Sequence, residues 1–208
     1  MKLIMKKVLL MAAFAVASLA ANAQSYVGGT IGFQNNKNNS ATTENTVTGF
    51  TINPEFGTAL NEKWGIGIEL GFGYNKNKTE YVGTAAGTAS DESSTTRFQI
   101  KPYARYQALK WGMANIFVDG GLNFGLNKAK DMKAAMDLGL FVSPGVAFNV
   151  SESWSIVARL TDFFTFNFAK SAVPDVAGAP DAPTSISAGL GTGKFTTGNI
   201  EFGIYYNF

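Results

Sequence analysis

The chain alternates apolar residues with small or polar ones over stretches longer than an ordinary strand of five or six residues. From Trp64 to Tyr74 the residues Trp64, Ile66, Ile68, Leu70, Phe72 and Tyr74 are separated by Gly65, Gly67, Glu69, Gly71 and Gly73. The rhythm returns in Phe98, Ile100, Pro102, Ala104 and Tyr106, and in Leu138, Leu140, Val142, Pro144, Val146 and Phe148. It ends the chain as Ile200, Phe202, Ile204, Tyr206 and Phe208. A repeat of two belongs to an extended backbone, whose successive side chains point to opposite faces, and excludes an amphipathic helix over the same residues.

Eight such segments are predicted, at 25–33, 47–57, 64–74, 96–107, 114–126, 137–149, 154–168 and 195–208. Their lengths suit tilted membrane strands of about 9–11 residues with some overhang. The connections near 58–63, 108–113 and 150–153 are tight, whereas those near 34–46, 75–95, 127–136 and 169–194 are long and rich in Asn, Ser, Thr, Ala and Gly. Short turns at one end and long loops at the other are the pattern of a transmembrane barrel. The expected fold is therefore all-β, an eight-stranded antiparallel up-and-down transmembrane β-barrel.

A weak internal repeat sets the hairpin register. Pro54, Pro102 and Pro144 each precede a Trp beyond a tight turn, with Trp64, Trp111 and Trp154 following at spacings of 10, 9 and 10. Proline donates no ladder hydrogen bond, so a shared bend or bulge is expected at each. The tryptophans, with Tyr206, are placed as an aromatic girdle at the short-turn interface.

Alternation does not by itself say which face is outside. A secreted lipocalin-like barrel also alternates, with its apolar face inward. Here the polar face is heavy in glycine, including Gly57, Gly65, Gly67, Gly71, Gly73, Gly121, Gly125, Gly139, Gly145 and Gly203. Glycine suits a crowded lumen better than a solvated exterior, so the apolar face is assigned to lipid. The same parity turns Arg97, Lys101, Arg105 and Arg159 inward, together with Glu55, Glu69, Asp119 and Glu201. An arginine facing lipid at midplane costs about 2–4 kcal/mol. These eight residues are expected to form a lumen charge network, four positive against four negative. Asp162 has outward parity and does not fit the scheme.

The first 23 residues read as an address. Lys2, Lys6 and Lys7 precede the apolar run Val8–Leu19, and Ala21-Asn22-Ala23 is an A-x-A cleavage site. The run is too short to span a bilayer as a helix, so residues 1–23 are expected to be a cleaved signal peptide and 24–208 the barrel. Cleavage leaves 14 basic and 15 acidic residues, net −1, which is no nucleic-acid footprint.

The chain has no Cys and no His. That excludes disulfides, thiolate chemistry, Cys- or His-ligated metals and Ser-His-Asp catalysis. No catalytic residue, metal ligand or cofactor is expected. Paired carboxylates such as Glu55 and Glu69 read as members of a salt-bridge plug, since an unpaired buried charge is expensive. The run Gly189–Lys194 lacks phosphate-loop spacing and a βαβ setting. Lys128, Lys130 and Lys133 make a small basic cluster in the third long loop, readable as a solvated loop or as a contact for lipopolysaccharide phosphates.

Alternating strands, short turns, an A-x-A signal and a terminal Phe together resemble the small outer-membrane barrels of the OmpX/OmpA-transmembrane type, over essentially all of 24–208. The alternate aromatic and aliphatic residues Phe202, Ile204, Tyr206 and Phe208 look like the terminal signal read by the outer-membrane assembly machinery. The resemblance implies an outer-membrane location and a structural, adhesive or minor porin-like role. Lipid and lipopolysaccharide surround such a barrel, and loops 75–95 and 169–194 are its surface for an extracellular ligand. The alternatives are a lipid A-modifying barrel enzyme and a soluble lipocalin-like binder. The enzymes of that kind rely on a His that this chain lacks.

Overall fold

The structure, a computed structural model, describes residues 24–40, 42–81, 90–130, 132–160, 163–171, 173, 182–190 and 200–208. Residues 1–23, expected to be the signal peptide, Asp162 and residues 191–194 of the glycine-rich run lie outside the described residues. Among the described residues there are ten strand segments: β1 Ser25–Asn39, β2 Thr43–Ala59, β3 Trp64–Tyr81, β4 Ser90–Trp111, β5 Ala114–Ala129, β6 Ala135–Asn149, β7 Trp154–Leu160, β8 Phe164–Lys170, β9 Thr184–Leu190 and β10 Ile200–Asn207.

They make a closed barrel of eight staves. Sequence neighbours from β1 to β7 pair antiparallel, and β10 pairs with both β7 and β1. β7 and β8 both lie against β6, so they are two parts of the seventh stave, split where a single strand 154–168 was expected. The eighth stave is also in two parts: β10 pairs with β7, while β9 pairs with β8. β9 falls within a stretch expected to be an irregular loop.

The other long loops are shorter than expected for the same reason. β1 and β2 run on to Asn39 and from Thr43, and β3 and β4 run on to Tyr81 and from Ser90. Their ladder continues through pairs such as Asn38↔Asn45 and Lys78↔Glu92. Above the hydrocarbon both faces of a strand meet water. The period-two pattern then disappears from the sequence while the backbone ladder persists.

The prolines are accommodated without a bulge in two of the three places. The β2–β3 ladder skips Asn53 and Pro54 and resumes at Glu55↔Glu69 with its register unchanged. The β4–β5 ladder skips Lys101 and Pro102 and resumes at Tyr103↔Gly121, again in register. Pro144 stands where β6 changes partner, between Val142↔Phe164 and Gly145↔Arg159. Each missing N–H thus falls in a gap of the ladder, and the expected bulge appears instead between Gln107 and Leu109.

Large apolar side chains cover the outside. Val27, Ile31, Phe33, Ile52, Phe72, Phe98, Leu122, Phe124, Leu138, Leu140, Ile156, Phe202 and Ile204 are all exposed. Buried positions are mostly polar or charged, as a barrel turned inside out requires. At the short-turn end Trp64 packs at a tilt against Tyr106 and Trp154 edge-on against Tyr206, each pair with ring centroids 5.0 Å apart. Local turn chemistry fixes both tryptophans. Asn61 accepts hydrogen bonds from the amides of Lys63 and Trp64, and Ser151 from that of Trp154. Trp111 stands apart, 81% exposed at the last position of β4, beside a turn in which Gly112 has φ 58°.

Candidate functional site

The distinctive chemistry lies in the lumen. Inward parity brings Glu55 from β2, Glu69 from β3, Arg105 and Lys101 from β4, Asp119 from β5, Arg159 from β7 and Glu201 from β10 into one buried cluster. Glu55 is its hub. One carboxylate oxygen accepts from Arg105 Nη2 at 2.9 Å and from the hydroxyls of Tyr26 at 3.2 Å and Tyr103. The other accepts from Tyr205 at 2.8 Å and Arg159 Nη1 at 3.2 Å. Arg105 also grips Asp119 with two parallel bonds, Nε to Oδ1 at 2.7 Å and Nη2 to Oδ2 at 2.8 Å. That bidentate geometry is the strong form of an arginine–carboxylate pair.

Arg159 ties the remaining acids together. Its guanidinium donates to Glu69 and, at 3.5 Å, to Glu201, and it lies 3.6 Å from Asp119. Thr30 completes this layer by donating to Glu201 at 2.8 Å. Lys101 stands 3.5 Å from Glu69 as an ion pair without a hydrogen bond, with its ammonium 5.1 Å from the Phe141 ring centre.

Arg97, the eighth residue expected in the network, is not part of this cluster. It pairs with Asp137 at 3.2 Å, nearer the long-connection end, and Asp137 also accepts from Asn123 and Asn127 at 2.8 and 2.7 Å. Asp137 was missed. It has inward parity but opens its segment, where the alternation has only begun. Among the described residues the expected balance of four against four therefore becomes four basic against five acidic groups in these lumen ion pairs, with three against four in the central cluster.

Aromatic rings fill what the charges leave. Arg105 lies 3.9 Å above the Phe117 ring centre, and Phe117 packs with Ala147, Val157, Tyr205 and Tyr26. Room for the rings comes from glycines directly across the ladder. A Cβ on Gly67 would sit 2.2 Å from the Tyr103 hydroxyl, and one on Gly145 would sit 2.5 Å from the tip of Phe117. Below this layer a polar vestibule of about 590 Å³ opens at the short-turn end, with Arg105 and Tyr205 among its walls.

An apolar exterior with a charged, filled interior is the architecture of a small membrane barrel, and the whole-chain comparison agrees. Residues 8–208 match the family model described as the outer membrane protein beta-barrel domain. The chain belongs to that family. It is accordingly an outer-membrane protein. Among solved structures it is similar to the outer membrane protein OprG from Pseudomonas aeruginosa, at 11% identity and TM-score 0.50, over 89% of this chain and 95% of that one. A major outer membrane protein from Thermus thermophilus aligns at 13% identity and TM-score 0.47, over 90% and 100%. Neisserial surface protein A aligns at 10% identity and TM-score 0.44, over 89% and 97%. At these identities the likeness is one of fold. No protein of curated function matches the sequence.

Proposed function

We propose that this outer-membrane barrel is a non-enzymatic structural or adhesive protein with at most minor porin-like permeability, its lumen closed by the charge network. The observation that supports this reading is the layer formed by Glu55, Arg105, Asp119 and Arg159, in which every side chain is at most 6% exposed. Eight strands enclose an interior that side chains can fill. Moving an ion through this layer would require a buried ion pair to part, at several kcal/mol per charge.

The expected result is a planar-bilayer conductance at least about tenfold below that of a 16-stranded porin, and no swelling of reconstituted vesicles in sugars. Large, steady conductance from the pure wild-type monomer would overturn the closed-lumen reading. The segments 75–95 and 169–194 are the surface proposed for an extracellular partner, and outer-leaflet lipopolysaccharide is the proposed neighbour of the barrel wall.

The terminal strand is proposed to carry the assembly signal. The main chains of Ser25 and Phe208 exchange hydrogen bonds of 2.9 and 3.0 Å where the barrel closes, so side-chain changes test recognition more cleanly than deletion does. Converting Tyr206 and Phe208 together to Ser should lower the amount inserted in the outer membrane while export across the inner membrane continues. Undiminished insertion would refute the signal.

A further inference from the structure

Lys128, Lys130 and Lys133 take no part in the lumen, and Lys170 joins them on one arc of the rim. Two outward rows show where they stand. On β5 the row runs Leu122, Phe124, Leu126 and then Lys128; on β8 it runs Phe164, Phe166, Phe168 and then Lys170. Met136 on β6 lies opposite both Leu126 and Lys170, so the two lysines leave the wall just beyond the last apolar side chains. The connection from β5 to β6 folds onto the same corner. The amide of Lys133 donates to the Val173 carbonyl at 2.7 Å, and the Lys128 ammonium donates to the Met132 carbonyl.

All four lysines are exposed, and among the described residues none has a carboxylate partner. Exposure alone does not explain this. The equally outward lysines of β1 and β3 are each paired: Lys37 with Glu44, Lys76 with Glu92 at 2.9 Å, and Lys78 with Glu80 at 2.5 Å. The hydrogen bond and charge of Lys78 hold the Glu80 carboxyl below its usual range, and those of Glu80 raise the Lys78 ammonium above its own. Among the described residues, one side of the rim therefore pairs its cations with carboxylates and the other does not. Asp131 is in the same connection, outside the described residues. With it counted, 128–133 and Lys170 still carry net +3.

Ammonium ions at the edge of the hydrocarbon, with no carboxylate partner among the described residues, face the layer where lipid phosphates lie. We propose that Lys128, Lys130, Lys133 and Lys170 form a binding arc for the phosphates of a phosphorylated glycolipid of the outer leaflet. This deepens the lipopolysaccharide contact in the proposed function and rests on it. Lysine is suited to the task because it acts as a mobile point charge and does not demand the fixed planar geometry of an arginine fork. Near an anionic lipid surface each lysine strengthens binding about fivefold.

The test uses the barrel purified from outer membranes, titrated in detergent with bisphosphorylated lipid A and with the same lipid after enzymatic removal of both phosphates. The wild type should bind the phosphorylated form at least about tenfold more tightly. The quadruple variant K128Q/K130Q/K133Q/K170Q should lose that preference while keeping its heat-modifiable gel mobility, and the pair K128Q/K170Q should lose part of it. The control K37Q/K76Q/K78Q should keep it. Equal wild-type affinity for the two lipids, or an unchanged preference in the quadruple variant, would overturn the proposal. Displacement of the lipid by millimolar inorganic phosphate would overturn the head group as the source. Bilayer conductance of the same variants reads the closed lumen separately, so failure of one reading is distinguishable from failure of the other.

Discussion

Glu55→Ala should lower the stability of the barrel by about 3–5 kcal/mol, the range for breaking a buried ion pair from one side. Glu55 accepts hydrogen bonds from two guanidinium groups and three phenols, and its side chain is fully buried. Its removal leaves Arg105 with Asp119 and Arg159 with Glu69, but it strips an acceptor from Tyr103 and Tyr205 at once. A buried donor left unsatisfied costs about 1–3 kcal/mol. The measurement is the denaturant midpoint for unfolding from lipid vesicles, read together with gel mobility before and after heating. The same variant should show raised single-channel conductance, because the removed side chain ties staves on opposite sides of the lumen. A midpoint equal to wild type would mean that Glu55 is not the hub.

Adjacent glycines should differ sharply in what they tolerate. Gly121 points inward, and a Cβ there would sit 2.1 Å from the Pro102 carbonyl oxygen and 2.7 Å from the Tyr103 Cα. Both are backbone atoms, so no rotamer relieves the clash and the β4–β5 ladder would have to open. Gly120 points outward, and the first atom a Cβ would meet is 3.8 Å away. Gly121→Val is therefore expected to block folding, leaving no heat-modifiable species on refolding into detergent. Gly120→Val should refold as wild type, with valine's higher strand propensity offsetting any lost space. Equal behaviour of the two variants would show the inward and outward assignment of β5 to be wrong.

The barrel's inside and outside were legible because parity is a local property. One reading frame along 96–107 already separates Arg97, Lys101 and Arg105 from Phe98, Ile100 and Tyr106, and no knowledge of other strands is needed. The frame worked least where polarity stopped alternating. Asp137 was lost at the start of its segment. The ladders above the hydrocarbon and the strand Thr184–Leu190 were read as loops, because water on both faces removes the pressure to alternate.

Partner choice within the lumen was not legible at all. Arg105 meets Asp119 across one hairpin, 14 residues away, but Arg159 meets Glu55 from 104 residues away and Arg97 leaves the cluster for Asp137. These pairings depend on barrel closure through β10 and β1 and on the height each strand reaches in the stagger, which follow from the registers of all the staves together. The rings and their glycines behave alike. Tyr103 and Gly67 are recognisable as inward residues one by one, yet only the register Gly67↔Tyr103 places the ring over the missing Cβ. Sequence alone thus determined which face of each strand meets lipid, because side-chain direction repeats every two residues. Tertiary structure alone decided which inward charges neutralise one another, because that is set by the closed geometry that brings distant strands to the same height.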